Sequence, residues 1–204
     1  GHDPVMATVT VLPPPPSAPA GQKPTLQLNG SALYRHDKMV GTLNLKQTRG
    51  LLWLRGEMLR GAGTILVPTE GGFITLEWLR ASTRRSVHIT ADQVALMLFI
   101  RVEGDLSEES VDLDLTSLRV LDQLDRALAA EVKERISEVL ESLRKYNVDA
   151  IGFGELVRQQ SPQAWNQMER SWHERWYPES EVRLHVEANI RRVGLNTKPR
   201  GVPD

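Results

Sequence analysis

Apolar residues recur at Leu121, Leu124 or Asp125, Leu128, Val132, Ile136, Val139 and Leu143, in steps of three or four. That spacing predicts a single long amphipathic helix over 116–147, roughly 48 Å from end to end. A heptad seam fails at Arg135 or Glu131, so the stripe suits a sheet or a globular core better than a partner helix. Glu131 with Arg135, and Glu141 with Lys145, stand at i,i+4 and are expected on the solvated outer face.

The other segments read as material folded against that helix. Val5–Leu12 is short and β-prone, with Val5, Ala7, Val9 and Val11 on one side. The stretch Pro13–Pro24 opens with consecutive prolines, which favour a stiff polyproline spacer, so the compact domain is expected to begin near Thr25. Residues 26–43 alternate as a β-hairpin about His36-Asp37-Lys38. Asn44 and Gln47 have the spacing of a capping box and open a short helix that Gly56 can end. Within it, Leu51-Leu52-Trp53-Leu54 is apolar on every side, so the helix is either wholly buried or offers part of itself to a partner.

Residues 65–89 predict a second hairpin turning at Glu70-Gly71-Gly72, and the polar run Ser82–Ser86 suggests a bulge, a bend or an overhang in its return strand. Val94–Val102 is apolar on both faces and reads as a central strand. The carboxylates Glu108, Glu109, Asp112 and Asp114 precede the long helix, where its dipole favours negative charge. After Asn147, a left-handed cap, helices are expected over 155–160 and from Ser161-Pro162 to Tyr177-Pro178, with Ala164, Trp165, Met168, Trp172 and Trp176 at helical spacing. Val182–Ile190 alternates as a half-buried strand. The order β-β-α-β-β-β-α-α-α-β implies an α+β fold, a largely antiparallel sheet covered by one long helix plus shorter helices, with the last strand returning to the same sheet.

Length and composition narrow the function. The chain has 204 residues, 40% of them hydrophobic, and a formal charge of -1. That balance gives no reason to expect nucleic acid as a partner. Cysteine is absent, which excludes disulfides, a thiolate nucleophile and Cys-type zinc sites. No apolar run approaches the ~18 residues needed to span a bilayer. Gly1-His2-Asp3-Pro4 reads as a cloning scar, and the tail 200–204 as loose.

Catalytic chemistry is not visible. Gly152-Phe153-Gly154 invites a phosphate-loop reading but lacks a third glycine and follows a helix, so a tight turn between helices is the expectation. Histidines 36, 88, 173 and 185 are scattered, without metal-ligand spacing, and no Gly-x-Ser-x-Gly motif occurs. No catalytic residue, cofactor or metal is assigned. The tryptophans at 165, 172 and 176 read as core or interface anchors.

Several stretches together resemble the C-terminal domain of the Ger(x)C family, the lipoprotein C subunit of bacterial spore germinant receptors. They are Leu28-Asn29-Gly30-Ser31-Ala32-Leu33-Tyr34-Arg35, Gln47-Thr48-Arg49-Gly50-Leu51-Leu52-Trp53-Leu54-Arg55-Gly56 and Asp112-Leu113-Asp114-Leu115-Thr116. Asp37-Lys38-Met39-Val40-Gly41, Ile151-Gly152-Phe153-Gly154-Glu155 with Trp165 downstream, and the run from Ile190 to Pro199 complete the set. The resemblance covers 26–199 and implies three parts: 1–24 as scar, β segment and proline-rich linker, 25–199 as the family domain, and 200–204 as tail. It further implies a non-catalytic interaction domain of a receptor subunit, tethered by an N-terminal lipid anchor missing from this fragment to the outer face of the spore inner membrane. Its partners would be the A and B membrane subunits, with the fragment itself soluble. Arg49, Trp53 and Arg55 on the apolar helix, and Trp172 and Trp176, are the candidate interface residues. A small-ligand binding module is the alternative, and a hydrolase with an unrecognised site a more distant one.

Overall fold

The protein is described by a computed structural model over residues 2–17, 19, 21–57, 64–69, 72–109 and 117–192. The turn Glu70-Gly71, the carboxylates Asp112 and Asp114, the segment leading to Thr116 and the tail from 193 lie outside the described residues. Strands β1 (Val5–Leu12), β2 (Thr25–Arg35) and β3 (Lys38–Asn44) form one antiparallel sheet. Strands β4 (Thr64–Thr69), β5 (Gly72–Ile89), β6 (Val94–Glu109) and β7 (Glu181–Arg192) form a second, in that spatial order.

The single expected sheet is thus two. Asn44 ends β3 and at once caps helix α1 (Leu45–Arg55), which carries the chain off the first sheet. Its capping box is complete: Gln47 N donates to Asn44 Oδ1 at 2.9 Å and Asn44 N donates to Gln47 Oε1 at 3.0 Å. Gly56 ends the helix in the left-handed region, φ 69°. Helix α1 packs against both sheets and against the long helix α2 (Leu118–Lys145).

The last strand returns beside central β6, but parallel to it, from Ala95↔Glu181 to Asp105↔Arg192. A parallel neighbour needs a crossover connection. Here it consists of α2, α3 (Phe153–Gln160), α4 (Pro162–Met168), a 3-10 turn over Glu169–Ser171, a π turn over Trp172–Trp176 and the short α5 (Tyr177–Glu179). The continuous helix expected from Ser161 to Tyr177 is broken by those two turns.

Leu124, Leu128, Val132, Ile136, Val139 and Leu143 of α2 are all buried in one core shared with both sheets. Where α1 crosses α2, Gly50 has no room for a side chain: a Cβ there would lie 2.6 Å from Val139 Cγ2 and 3.1 Å from Arg135 O. The same crossing half-buries the ion pair of Arg135 with Glu131 (2.7 Å), which the sequence assigns to the solvated face.

Three local expectations also change. The polar run Ser82–Ser86 is neither bulge nor overhang, since it pairs in register with Met97–Arg101. Ser82, Arg84 and Ser86 face solvent, while Thr83 Oγ1 donates to Trp53 O at 2.5 Å and Arg85 Nη1 to Ile151 O at 2.9 Å. Val5–Leu12, placed by sequence outside the compact domain, pairs with β2 along its whole length, so the proline-rich stretch is a hairpin connection. Residues 2–4, read as a scar, are part of the fold: Pro4 O accepts from Tyr34 N at 3.0 Å, and Asp3 is buried.

Candidate interaction surface

The three candidate interface tryptophans are core residues. Trp53 is 1% exposed, Trp172 3% and Trp176 9%. For Trp53 the reason is that α1 packs against α2 and both sheets, which buries Gly50, Leu51, Trp53 and Leu54 and leaves Leu45, Lys46 and Arg49 exposed. Arg55 is half-buried, with Nη2 2.7 Å from His2 Nε2 and Nε 3.4 Å from Glu57. Of the five candidates only Arg49 is fully exposed, so the structure does not bring them together into one surface.

Trp172 belongs to a buried polar hub that the sequence does not announce. Asp149 Oδ1 accepts from Gly152 N (3.0 Å) and Phe153 N (2.9 Å). Its Oδ2 accepts from Gly154 N (2.8 Å) and Trp172 Nε1 (3.1 Å). Asp3 Oδ2 in turn accepts from Asp149 N at 2.7 Å. The Gly-Phe-Gly backbone is therefore an anion cradle, but its anion is the chain's own carboxylate, which also caps α3. Burial raises the Asp149 carboxyl above its ordinary value, and the Asp3 charge adds to this. The hydrogen bonds from Gly154, Phe153 and Trp172 oppose the shift without reversing it. Tyr177 completes the hub, donating to Val148 O at 2.7 Å, and its hydroxyl is likewise pushed up by burial. A carboxylate whose oxygens are already engaged by four donors is a structural staple, with no lone pair turned towards a substrate.

The open surface lies on the other side of the molecule. Residues of β5, β6 and β7 that alternate with the core positions point away from it: Arg80, Ser82, Arg84, Ser86 and His88, then Phe99 and Arg101, then Arg183, His185 and Asn189. Phe99 is the centre of this face. The guanidinium carbons of Arg84 and Arg101 lie 5.5 and 5.7 Å from its ring centroid, and His185 stacks on it at 5.0 Å with an interplanar angle of 13°. Glu187 ties the group together, at 2.9 Å from Arg101 Nη2 and 3.4 Å from His185 Nε2.

Cross-strand register assembles this cluster, pairing Arg84 with Phe99 and Phe99 with His185. The alternation of β7 in the sequence shows which side each of its residues takes, whereas β6 is apolar on both faces and gives no such sign. Only the register shows that they meet. A shallow depression of about 420 Å³ adjoins the cluster, lined by Arg101, Glu103, Glu187, Ala188 and Asn189. It is open and polar, unlike the enclosed apolar pockets that take small molecules. Among the described residues no three His, Asp or Glu side chains converge in a way that could hold a metal ion. The arrangement of cations and an aromatic ring on a flat sheet face is suited to binding another macromolecular surface.

Comparison with known proteins gives a consistent picture. Residues 29–194 match the family described as spore germination B3/GerAC like, C-terminal. Spore germination protein KC of Bacillus subtilis (strain 168) is 26% identical over 158 residues, which are 72% of this chain and 39% of that protein. Spore germination protein YndF of the same organism is 25% identical over 172 residues, 83% of this chain and 42% of that protein. The crystal structure of the GerBC protein superimposes with a TM-score of 0.74 at 20% identity, over 82% of this chain and 53% of that one, and so shares the fold. The chain spans less than half the length of these two curated relatives.

Proposed function

The chain belongs to the spore germination B3/GerAC-like C-terminal family, and on that premise we propose that it is a non-catalytic interaction domain of a germinant receptor C subunit, acting in nutrient-triggered spore germination. In the full-length protein a lipid anchor holds the subunit at the outer face of the spore inner membrane, beside the A and B membrane subunits. No helix among the described residues is long and apolar enough to cross a membrane.

The observation that carries the reading is the solvent-open face centred on Phe99. Arginine and aromatic side chains dominate binding hot spots because they combine large contact area with few rotatable bonds or with several donors. Here the ring and the two guanidinium groups are held in place by strand pairing rather than by a loop, so little freedom is lost on binding. A flat face of this kind engages a protein surface, and the neighbouring depression is too open and polar to favour the small-ligand alternative.

Charge reversal tests the reading. In the full-length subunit, Arg84→Glu combined with Arg101→Glu is expected to reduce co-purification of the membrane subunits at least about tenfold, because two favourable contacts become repulsive. The thermal midpoint of the domain should fall only slightly, since both side chains are exposed and the repulsion from Glu187 across the strands is screened by solvent. Undiminished co-purification would overturn the assignment of this face.

A further inference from the structure

The first sheet ends in an arm. Val9 pairs with Leu28 and Val11 with Leu26. Cross-strand partners share a face, so these four aliphatic side chains form one strip. It continues the face on which Val5 pairs with the core residue Leu33, but runs out beyond the core. Val9 is 55% exposed, Leu28 59%, Val11 60% and Leu26 72%.

Among the described residues no strand pairs with the outer edge of β1, the terminal strand of its sheet. Edge strands of monomers are ordinarily guarded by a charged side chain, an internal proline or a bulge. The β1 sequence VMATVTVL has no charge and no proline. The bulge of the hairpin places its extra residue, Asn29, on β2 and leaves β1 regular. Lys23 is the one charged residue between Val5 and Tyr34, in a chain that is 25% charged overall.

We infer that β1 is the pairing edge of a homodimer, in which two copies join their three-stranded sheets through antiparallel β1 strands about a two-fold axis. The chemistry of the arm selects this occupant. A bilayer suits it poorly, since an unpaired strand edge cannot satisfy its backbone groups in lipid. Between Val5 and Leu33 there is moreover no aromatic residue and a single cation to seat it at an interface. A charged partner would find nothing to pair with.

A second copy matches the edge in charge and in shape. A two-fold axis perpendicular to the sheet keeps each strand face on its own side, and the midpoint of β1 falls between Thr8 and Val9. An axis at Thr8 sets Val9 opposite Ala7 and Val5 opposite Val11; an axis at Val9 sets Val9 opposite itself and Val11 opposite Ala7. Every pair is neutral in both registers, and the strips of Val9, Val11, Leu26 and Leu28 from the two copies become continuous. Isologous pairing of this kind is the commonest route to a closed assembly. This edge belongs to the three-stranded sheet and so stands apart from the face around Phe99, which belongs to the four-stranded one.

Sedimentation of the 204-residue chain tests the inference. Wild type is expected to sediment at twice the 22.9 kDa of one chain at micromolar concentration. Val9→Lys and Val9→Glu should each sediment as monomers with unchanged thermal midpoints, because like charges then face each other directly in the register centred on Val9 and diagonally, still within reach of long side chains, in the register centred on Thr8. An equimolar mixture of the two variants should recover the dimer. Val11→Lys, farther out on the arm, should also be monomeric and serves if either Val9 variant folds poorly. A wild-type monomer at all concentrations, or a dimer that persists in all three variants, would overturn the proposal. So would wild type that stays monomeric and instead floats with neutral phosphatidylcholine vesicles, or whose β1 amides are protected only within the longer parent protein.

Discussion

Asp149 shows how much structure one side chain can organise. Its carboxylate takes three backbone N–H groups and the Trp172 indole, and its own backbone N–H is held by Asp3. Asp149→Asn would turn an amide NH2 towards donors that need an acceptor, so about 2 kcal/mol or more of stability should be lost, measurable by chemical denaturation at neutral pH. The pH dependence carries a definite sign. Burial raises the folded-state carboxyl above 3.8, so the folded chain binds that proton more tightly than the unfolded one. The corresponding stability is complete below 3.8 and lost as pH rises through the raised value. On acidification from neutral pH, wild type should therefore gain stability relative to Asp149→Asn; a relative loss would show that the hydrogen bonds outweigh burial. None of this is legible in the sequence, because Asp3 and Asp149 are 146 positions apart. Gly152-Phe153-Gly154 does signal an anion cradle, but the occupant comes from the fold.

At the scale of elements, local pattern carries a long way. The spacing from Leu124 to Leu143 gives the buried stripe of α2, and Asn44 with Gln47 gives the start of α1, because both depend on residues within a few turns of each other. Ile136→Ala, at a fully buried position of that stripe, should cost roughly 2–5 kcal/mol. Asn44→Ala, which removes one of the two bonds of the capping box, should cost about 1 kcal/mol. Equal losses at the two sites in urea unfolding would mean that the stripe is not the core. Non-local facts are hidden from the same reading. Alternation in Val182–Ile190 shows a strand but not its direction, and β7 lies parallel to β6 because of a crossover whose geometry no short window contains. Tryptophans at helical spacing look alike whether they face a core or a partner. Trp53, Trp172 and Trp176 face the core because the fold turns the side of each element that carries them inward.

For the whole molecule, the division of labour is between a closed core and an open sheet face. The two sheets, α1 and α2 share one apolar interior, and the apolar side of β5, β6 and β7 is turned into it. The opposite side presents Arg84, Phe99, Arg101 and His185 in fixed register. The α+β class and the family resemblance are legible in the sequence because they rest on ordered local motifs. The contact face is not, since it exists only once three strands are side by side. Photocrosslinkers at positions 84, 99 and 185 of the full-length subunit, with controls at 133 and 137 on the exposed side of α2, test this arrangement most directly in spore membranes. The account predicts adducts with the receptor's membrane subunits from the three sheet positions and none from the two helix positions. Adducts from the helix positions with none from the sheet would contradict it.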